Sequence, residues 1–408
     1  MYDFVVLSEW LRFAVRWLHV ITAIAWIGSS FYFIALDLGL RRDRKLASGA
    51  DGDAWQVHGG GFYQIEKYLV APAAMPADLT WFKWESYWTW ISGFALLVLT
   101  YYFSAGLYLI DPAVRDLTAA QAIGISLASL ALGWLAYDQL CKSKLGGDTT
   151  LLMVLLFVIL VAVAWGYAQL FSGRAALLHL GAFTATIMTG NVFFIIMPNQ
   201  RVVVADLIAG RVPDPKYGKI AKQRSTHNNY LTLPVVFLML SNHLPLAFAS
   251  PWNWLIASLV FLMGVTIRHW FNSHHARAGN PHWTWALTAL IFLLIVWLST
   301  LPGPTAPEGE TRLTPEAALF AAAPGFDRVE EIMLGRCAMC HAAEPFWDGV
   351  PWAPKGVRLD TPEGIATHAR DIYLQAGITH AMPPANVSYI EPEERAAIVG
   401  WYRAAAGG

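Results

Sequence analysis

Eight apolar stretches, each about twenty residues long, limit how this chain can fold. A helix of roughly 20 apolar residues spans the 30 Å hydrocarbon core of a bilayer. Hydrophobic residues make up 56% of the 408 positions and charged residues only 14%, against about 25% charged in soluble proteins. The sequence therefore predicts an all-α fold with eight transmembrane helices in residues 1–302. The stretches are 13–36, 87–110, 119–140, 150–171, 175–197, 229–248, 252–271 and 284–301.

Two of these stretches have special features. The sixth is the weakest of the eight because Pro234 and Pro245 interrupt it. The first is too long for a removable signal peptide, so we expect it to remain as a membrane anchor.

Basic residues set the expected orientation, since cytoplasmic loops carry an excess of Lys and Arg. The first and fifth loops hold six each, the second and fourth hold only Arg115 and Arg174, and the sixth holds none. Arg12 and Arg16 run against this pattern. We expect a multi-pass protein of the bacterial inner membrane, with both termini on the periplasmic side. The 28 basic and 29 acidic residues balance, so nothing suggests a nucleic-acid partner.

The chain changes character after residue 302. Residues 303–313 are rich in Pro and Gly, which is typical of a semi-extended linker, and residues 314–408 suffice for one small soluble domain. This domain contains the run Cys337-Ala338-Met339-Cys340-His341. Two thiols at this spacing bond the two vinyl groups of a haem, and the adjacent His ligates the iron. A structural zinc site would need a second Cys or His pair, and a thioredoxin-like site would need a βαβ pattern.

A sixth iron ligand follows the haem motif. Met382 precedes two prolines that stiffen the loop, and a thioether opposite His raises the haem potential. The alternatives are His368 or His380 as the ligand, or a Met382 that only fills the core. The tail resembles small class I cytochromes c. Haem is attached to such domains outside the cytoplasm, in agreement with the orientation expected from loop charge.

Three histidines lie inside the apolar stretches. His19, His179 and His243 fall about 6 to 9 Å deep at 1.5 Å per residue, all in the outer half. Ionisable groups at such depth indicate function, and two of the three could clamp a non-covalent b-type haem that passes electrons to the tail. The alternative is that each only bonds a neighbouring helix. The segment from Leu18 to Gly28 also resembles the haem-binding first helix of membrane protoporphyrinogen oxidases.

A second polar set falls at the predicted cytoplasmic ends of the stretches. Arg pairs with negative charge, Asn and Gln match amide edges and aromatic rings stack, so the set suits a flat, polar, anionic molecule. The alternative is an ordinary cytoplasmic rim of basic and aromatic anchors. The set comprises His58-Gly59-Gly60-Gly61-Phe62-Tyr63, Asn191, Asn199-Gln200-Arg201, Gln223 to Tyr230, and Arg268-His269.

The runs His58 to Tyr63 and Arg224 to Tyr230, followed by the Cys-x-x-Cys-His motif, resemble the membrane-bound, cytochrome c-linked urate oxidases (urate hydroxylases) of bacteria. The resemblance covers essentially the whole chain. It implies oxidation of urate to 5-hydroxyisourate, with electrons leaving through one covalent haem c at Cys337, Cys340 and His341 with Met382. It also implies a lipid bilayer and a respiratory cytochrome or terminal oxidase as partners.

A mechanism follows as a hypothesis. We expect urate, an anion, to bind near Arg224 and Arg268, and His227 to take a proton as water adds to the ring. Substrate on the inside and haem c on the outside would favour a haem b at His19, His179 or His243.

Two other functions stay open. One is an electron-transfer subunit from quinol to an oxidase without small-molecule chemistry, and the other is a transporter with a fused redox sensor. The scarcity of carboxylates inside the stretches argues against proton coupling.

Overall fold

A computed structural model describes residues 4–68, 76, 78–301, 313–350 and 352–407. The chain is mainly helical, and its helices fall into an apolar N-terminal domain and a smaller C-terminal tail. Of the predicted linker, only Leu313 lies among the described residues.

Six helical segments are long and apolar enough to cross a membrane, and they match the first, third, fourth, fifth, seventh and eighth predicted stretches. The long apolar runs explain them, because a helix satisfies every backbone group internally. Their bounds are Phe4–Gly39 (α1), Ala119–Lys142 (α3), Thr149–Ala168 (α4), Gly173–Gly190 (α5) continuing through a π-helical segment Asn191–Ile196 into Met197–Ile208 (α6), Asn253–His275 (α9) and Trp283–Thr300 (α10).

The second and sixth stretches are helical but broken or partly polar, so a count of eight spans stays a prediction. The second is helix α2, Trp84–Leu97, followed by two π-helical segments, Val98–Tyr102 and Ala105–Leu109. Ser104 between them leaves the helical region at φ −130° and ψ 49°.

The sixth stretch belongs to helix α7, Pro215–Leu240, which starts well before the predicted span. The polar run from Gln223 to Tyr230 lies in its middle. A 3₁₀ turn Ser241–His243 and helix α8, Pro245–Phe248, follow it. Pro234 stays inside α7. Gly264 of α9 packs against its ring, where a Cβ would lie 2.6 Å from the Pro234 Cδ.

A β-hairpin, which the sequence analysis did not predict, follows α1. Strand β1, Ala50–His58, pairs antiparallel with β2, Gly61–Tyr68. Gly59 and Gly60 form the two-residue turn with φ of 58° and 79°, the combination that only glycine adopts without strain. The glycines expected in a binding cluster therefore form an exposed turn.

Helix α5 lies at the centre of the N-terminal domain. It packs against α2, α3, α4, α7 and α9, and it is mostly buried along its length. Small residues allow close approach: at Gly190, a Cβ would lie 2.0 Å from the Trp134 indole nitrogen. The polar side chains on α5 and on the α7 face against it therefore lie inside the protein.

The tail forms a separate helical core that docks on the N-terminal domain. Arg370 lies 2.5 Å from the Glu9 carboxylate and donates to the Ser8 hydroxyl at 3.0 Å. Val5 packs against the tail core. The helices are Pro315–Ala321 (α11), Phe326–Arg336 (α12), Ala338–His341 (α13), Pro362–Thr367 (α14), Ala369–Ile372 (α15) and Pro392–Ala406 (α16).

Candidate functional site

The Cys-x-x-Cys-His motif lies where α12 passes into the short helix α13. Cys337 and Cys340 carry free thiols, and burial raises the pKa of the Cys337 thiol to about 12. The His341 Nδ1 lies 2.8 Å from the Val357 carbonyl oxygen. A carbonyl only accepts, so Nδ1 carries the proton and Nε2 keeps its lone pair. This is the usual arrangement of a metal-ligating histidine, and the residues present fit a covalent haem.

Met382 faces the same space as the motif. Its backbone is held on both sides, because its N–H donates to Gln375 at 2.9 Å and Arg395 donates to its carbonyl at 3.0 Å. Of the rival ligands, His368 also lines this space, whereas His380 does not. The His368 Nδ1 lies 3.5 Å from the Asp371 carboxylate.

One continuous cavity of about 630 Å³, here called the central cavity, joins the tail to the membrane helices. This volume is near the middle of the usual range for ligand sites, about 300–1,000 Å³. Its tail arm is lined by Cys337, Cys340, His341 and Met382. Its membrane arm is lined by residues of α1, α2, α5 and α7 and by His243.

His19 lies on the membrane arm with one ring nitrogen fixed. Its Nδ1 is 2.9 Å from the Thr89 carbonyl oxygen and 3.2 Å from the Ser92 hydroxyl. Because the carbonyl accepts, Nδ1 is the protonated nitrogen and Nε2 is unprotonated. The ring lies directly against Gly93, where a Cβ would be 2.8 Å from the His19 Cε1.

The other two intramembrane histidines differ from each other. His243 lines the central cavity from the turn after α7. His179 is fully buried and is not among the lining residues. Its Nδ1 donates to Ala175 at 2.8 Å, and Tyr101, Tyr167 and Phe171 surround its ring. The structure brings His19 and His243 to one cavity and leaves His179 outside it.

Deeper in the domain, α3, α5, α7 and α9 enclose a group of polar side chains, here called the buried polar cluster. All its members are buried except the half-buried Asn272. The cluster comprises Tyr137, Asp138, Asn191, Arg224, His227, Asn228, Asn229, Arg268 and Asn272. The residues of the expected set that stay at the surface are His58, Gly59, Gly60, Phe62, Tyr63, Gln200, Arg201 and His269, with Gly61 and Asn199 half-buried.

Arg224 is neutralised inside this cluster. Its Nη2 lies 2.7 Å from the Asp138 Oδ1, and both side chains are almost fully buried. The Nη1 donates to Asn191 at 3.2 Å. Asp138 and Tyr137 were missed by the sequence analysis, although Asp138 lies inside the third stretch, one turn before Lys142. Buried charges are stable only when paired, so an intramembrane Arg was itself a signal to look for this carboxylate.

His227 and Arg268 make different contacts in the cluster. The His227 Nδ1 lies 2.7 Å from the Tyr137 hydroxyl, which also accepts from Asn191. Arg268 donates to Asn229 at 3.2 Å and lies over the Phe31 ring at 4.2 Å. Among the residues that the structure describes, no carboxylate pairs with Arg268.

Three buried polar atoms of the cluster have no hydrogen-bond partner within the described part of the chain: Arg224 Nε, His227 Nε2 and Asn229 Nδ2. All three lie on α7, within two turns. An unsatisfied buried polar group costs about 1–3 kcal/mol, so a bound molecule that pairs with these atoms would offset this cost.

The central cavity and the buried polar cluster follow each other along α5. Cavity-lining residues run from Arg174 to Thr189, about 22 Å at 1.5 Å per residue. Asn191, two residues further on, belongs to the cluster.

Comparison with known proteins identifies the family to which the N-terminal domain is similar. The family model described as urate oxidase N-terminal matches residues 5–299. The chain belongs to this family. No curated protein and no solved structure matches it. The family match spans α1 to α10, and thus covers the membrane arm of the cavity and the whole buried polar cluster. It ends before the tail, so the Cys-x-x-Cys-His motif lies outside the matched region.

Proposed function

We propose that the protein is a membrane-bound urate oxidase of the urate hydroxylase type, converting urate to 5-hydroxyisourate. Urate and water yield this product with two protons and two electrons. The observation that carries the proposal is the coincidence of a urate oxidase family match with three unpartnered polar atoms within two turns of α7.

Urate binds in the buried polar cluster. The purine presents carbonyl oxygens and ring N–H groups, which match the Arg224 Nε–H and the Asn229 Nδ2–H as donors and the His227 Nε2 as acceptor. Asp138 already offsets the charge of Arg224. Arg268, which has neutral partners and an aromatic ring around it, therefore supplies the positive charge for the urate anion.

His227 takes a proton from the substrate. When its Nδ1 donates to the Tyr137 hydroxyl, its Nε2 is unprotonated and accepts a proton as water adds to the ring. Positioned general bases contribute about 10²–10⁴-fold to rate. Tyr137 and Asn191 hold the imidazole in place and act as positioning residues.

Cys337 and Cys340 would attach a haem c, and His341 and Met382 would supply the ligands of its iron. When bound, this group accepts electrons one at a time and passes them to a respiratory cytochrome or terminal oxidase. The chain's own contribution is the hydrogen bond from His341 to Val357, which fixes the ring, and the backbone contacts that hold Met382. We place the tail on the periplasmic side of a bacterial inner membrane, because the distribution of Lys and Arg among the loops favours that orientation.

The experiment uses purified full-length protein matured with its haem, oxidised and free of oxygen. Addition of urate is expected to reduce the haem, with formation of 5-hydroxyisourate followed by ultraviolet absorbance. Reduction by a quinol but not by urate would overturn the proposal in favour of an electron-transfer subunit. Uptake of urate into vesicles without its consumption would favour the transporter.

A substitution of Arg268 localises the substrate. Arg268→Gln is expected to raise the KM for urate by about 10- to 100-fold, the range for a lost charged hydrogen bond. The matched control is Arg277→Gln in the exposed loop after α9, where the guanidinium contacts only the Gly39 carbonyl among the described residues. Equal effects of the two substitutions would contradict the assignment.

A further inference from the structure

We propose that the membrane arm of the central cavity binds a second, non-covalent haem, with His19 as an axial ligand. The proposal adds to the proposed function an electron carrier between the buried polar cluster and the tail. Its test measures haem content, so its failure is distinct from a failure of urate oxidation.

The imidazole of His19 is fixed by the same kind of hydrogen bond as the imidazole of His341. In each, Nδ1 is 2.8 or 2.9 Å from a backbone carbonyl oxygen, which fixes the tautomer and leaves Nε2 as a Lewis base. Metal-ligating histidines almost always use their second nitrogen in this manner. Both rings line one cavity. Two histidines with the same fixed tautomer therefore lie on the wall of the same cavity.

Gly93 supports this arrangement. A side chain at this position would collide with the His19 ring, so glycine allows the imidazole to approach α2 closely. The ring is thus held by two helices at once, from its own helix α1 and from α2. A fixed ring presents Nε2 in one direction, which is what a metal ligand requires.

The walls of the membrane arm suit a porphyrin. Trp26, Trp90, Phe94 and Leu178 give it an apolar surface, and the Trp90 and Phe94 rings stack at 5.3 Å and 8°. Large, mostly apolar cavities with a few fixed polar groups are typical of cofactor sites. The macrocycle is flat and apolar, and it fills such a space without leaving polar groups unsatisfied.

Two guanidinium groups line the cavity and can pair with carboxylates such as haem propionates. Arg16, one turn before His19, and Arg174 both line the cavity. Arg174 donates to the Lys355 carbonyl at 3.3 Å and lies over the Phe248 ring. Within the described ranges, neither Arg forms an ion pair with a carboxylate, so both charges are available. Arg pairs with carboxylates in bidentate geometry.

We propose to test His243 as the second ligand, because it is the other intramembrane histidine that lines this cavity. It lines the cavity from the turn after α7, an element different from α1, so its ring approaches the iron independently of His19. His179 does not line the cavity, and it is excluded from this role.

The test counts haems in purified full-length protein by the pyridine haemochrome spectrum, which separates b-type from c-type haem. One b haem for each c haem is expected in the unsubstituted protein. Cys337→Ser with Cys340→Ser should remove the c haem and keep the b haem. His19→Ala should remove the b haem and keep the c haem. His243→Ala should keep b haem at reduced content and change its spectrum from low spin to high spin.

His282→Gln is the matched control, because His282 is an exposed histidine of the same domain outside the cavity. It should leave the b:c ratio unchanged. Retained c haem and an unchanged gel-filtration profile in detergent in each His19 and His243 variant show that both domains have folded. A b:c ratio of zero in the unsubstituted protein overturns the proposal, as does full b haem content in the His19 variant.

Discussion

Gly93 of α2 lies so close to His19 of α1 that a Cβ there would come within 2.8 Å of the imidazole Cε1. This contact and the hydrogen bond to Thr89 together fix one histidine against a neighbouring helix inside the apolar domain. The position of the imidazole therefore depends on the absence of a single methyl group.

Gly93→Ala is expected to displace the His19 ring and to lower the b haem content while the c haem stays bound. Overpacking of this kind also costs about 1–3 kcal/mol of the free energy of unfolding. Gly124→Ala is the control, since a Cβ at Gly124 of α3 meets nothing within 4 Å. That variant should be neutral or slightly stabilising in a thermal unfolding measurement. Unchanged b haem in the Gly93 variant would contradict the assigned role of His19.

Asp138→Leu is expected to destabilise the protein strongly, because it leaves the buried Arg224 charge uncompensated. Breaking a buried ion pair costs about 3–5 kcal/mol. The double substitution Asp138→Leu with Arg224→Leu should recover part of this loss, since neither charge then stays alone. Thermal unfolding of the purified protein in detergent measures both. If the single and double variants unfold at the same temperature, the pair does not contribute as described.

His227→Gln is expected to lower kcat for urate by about 10²–10⁴-fold, with a smaller change in KM, because the loss falls on proton transfer. Tyr137→Phe removes the hydroxyl that contacts the imidazole and Asn191, leaves His227 in place, and should cause a smaller loss that depends on pH. pH profiles of kcat for the unsubstituted protein, His227→Gln and Tyr137→Phe distinguish a proton acceptor from a positioning residue. A profile that is identical in all three would show that His227 takes no proton.

Met382→His is expected to lower the reduction potential of the c haem, because a thioether opposite His raises the potential relative to a second imidazole. A redox titration followed by haem absorbance measures it. His368→Gln is the matched control on the same arm of the cavity. If the potential responds to His368 and not to Met382, the rival ligand is the correct one.

Acid should destabilise the loop behind His341 through Asp360. The hydrogen bond from Arg358 lowers the pKa of the Asp360 carboxyl, and the Ala343 N–H also donates to it at 2.9 Å. A lowered folded pKa gives stability that is fully present above the unfolded value, about 3.9, and is lost as the pH falls through the folded pKa. Tail unfolding against pH in the unsubstituted protein and in Asp360→Asn measures this. The variant should lose the part of the acid dependence that Asp360 supplies.

Apolar length was enough to locate most of the membrane helices. Six predicted stretches correspond to long apolar helices, because burying backbone in an apolar medium leaves few alternatives to a helix. The second and sixth stretches were less predictable. Ser104 breaks one helix, and the polar run in the middle of α7 is accommodated by side chains of other helices that no local pattern shows.

Partners that are distant in sequence explain what the sequence analysis missed at the site. The pairing of Arg224 with Asp138 depends on how α3 packs against α7, and the separation of His179 from the cavity depends on which face of α5 meets α2. Depth along a helix placed His19, His179 and His243 together, but depth alone does not give the direction of a side chain. The glycine pair Gly59-Gly60 is visible in the sequence, but the sequence alone does not distinguish a hairpin turn from a backbone contact with a ligand.

The ion pair between Arg370 and Glu9 holds the tail on the end of α1. In the proposed function, a covalently linked and docked carrier would meet its donor at a fixed separation, so electron transfer into the tail would be a unimolecular event whose rate is independent of dilution. Only the onward encounter with an external acceptor is then bimolecular and sensitive to the concentration of that acceptor.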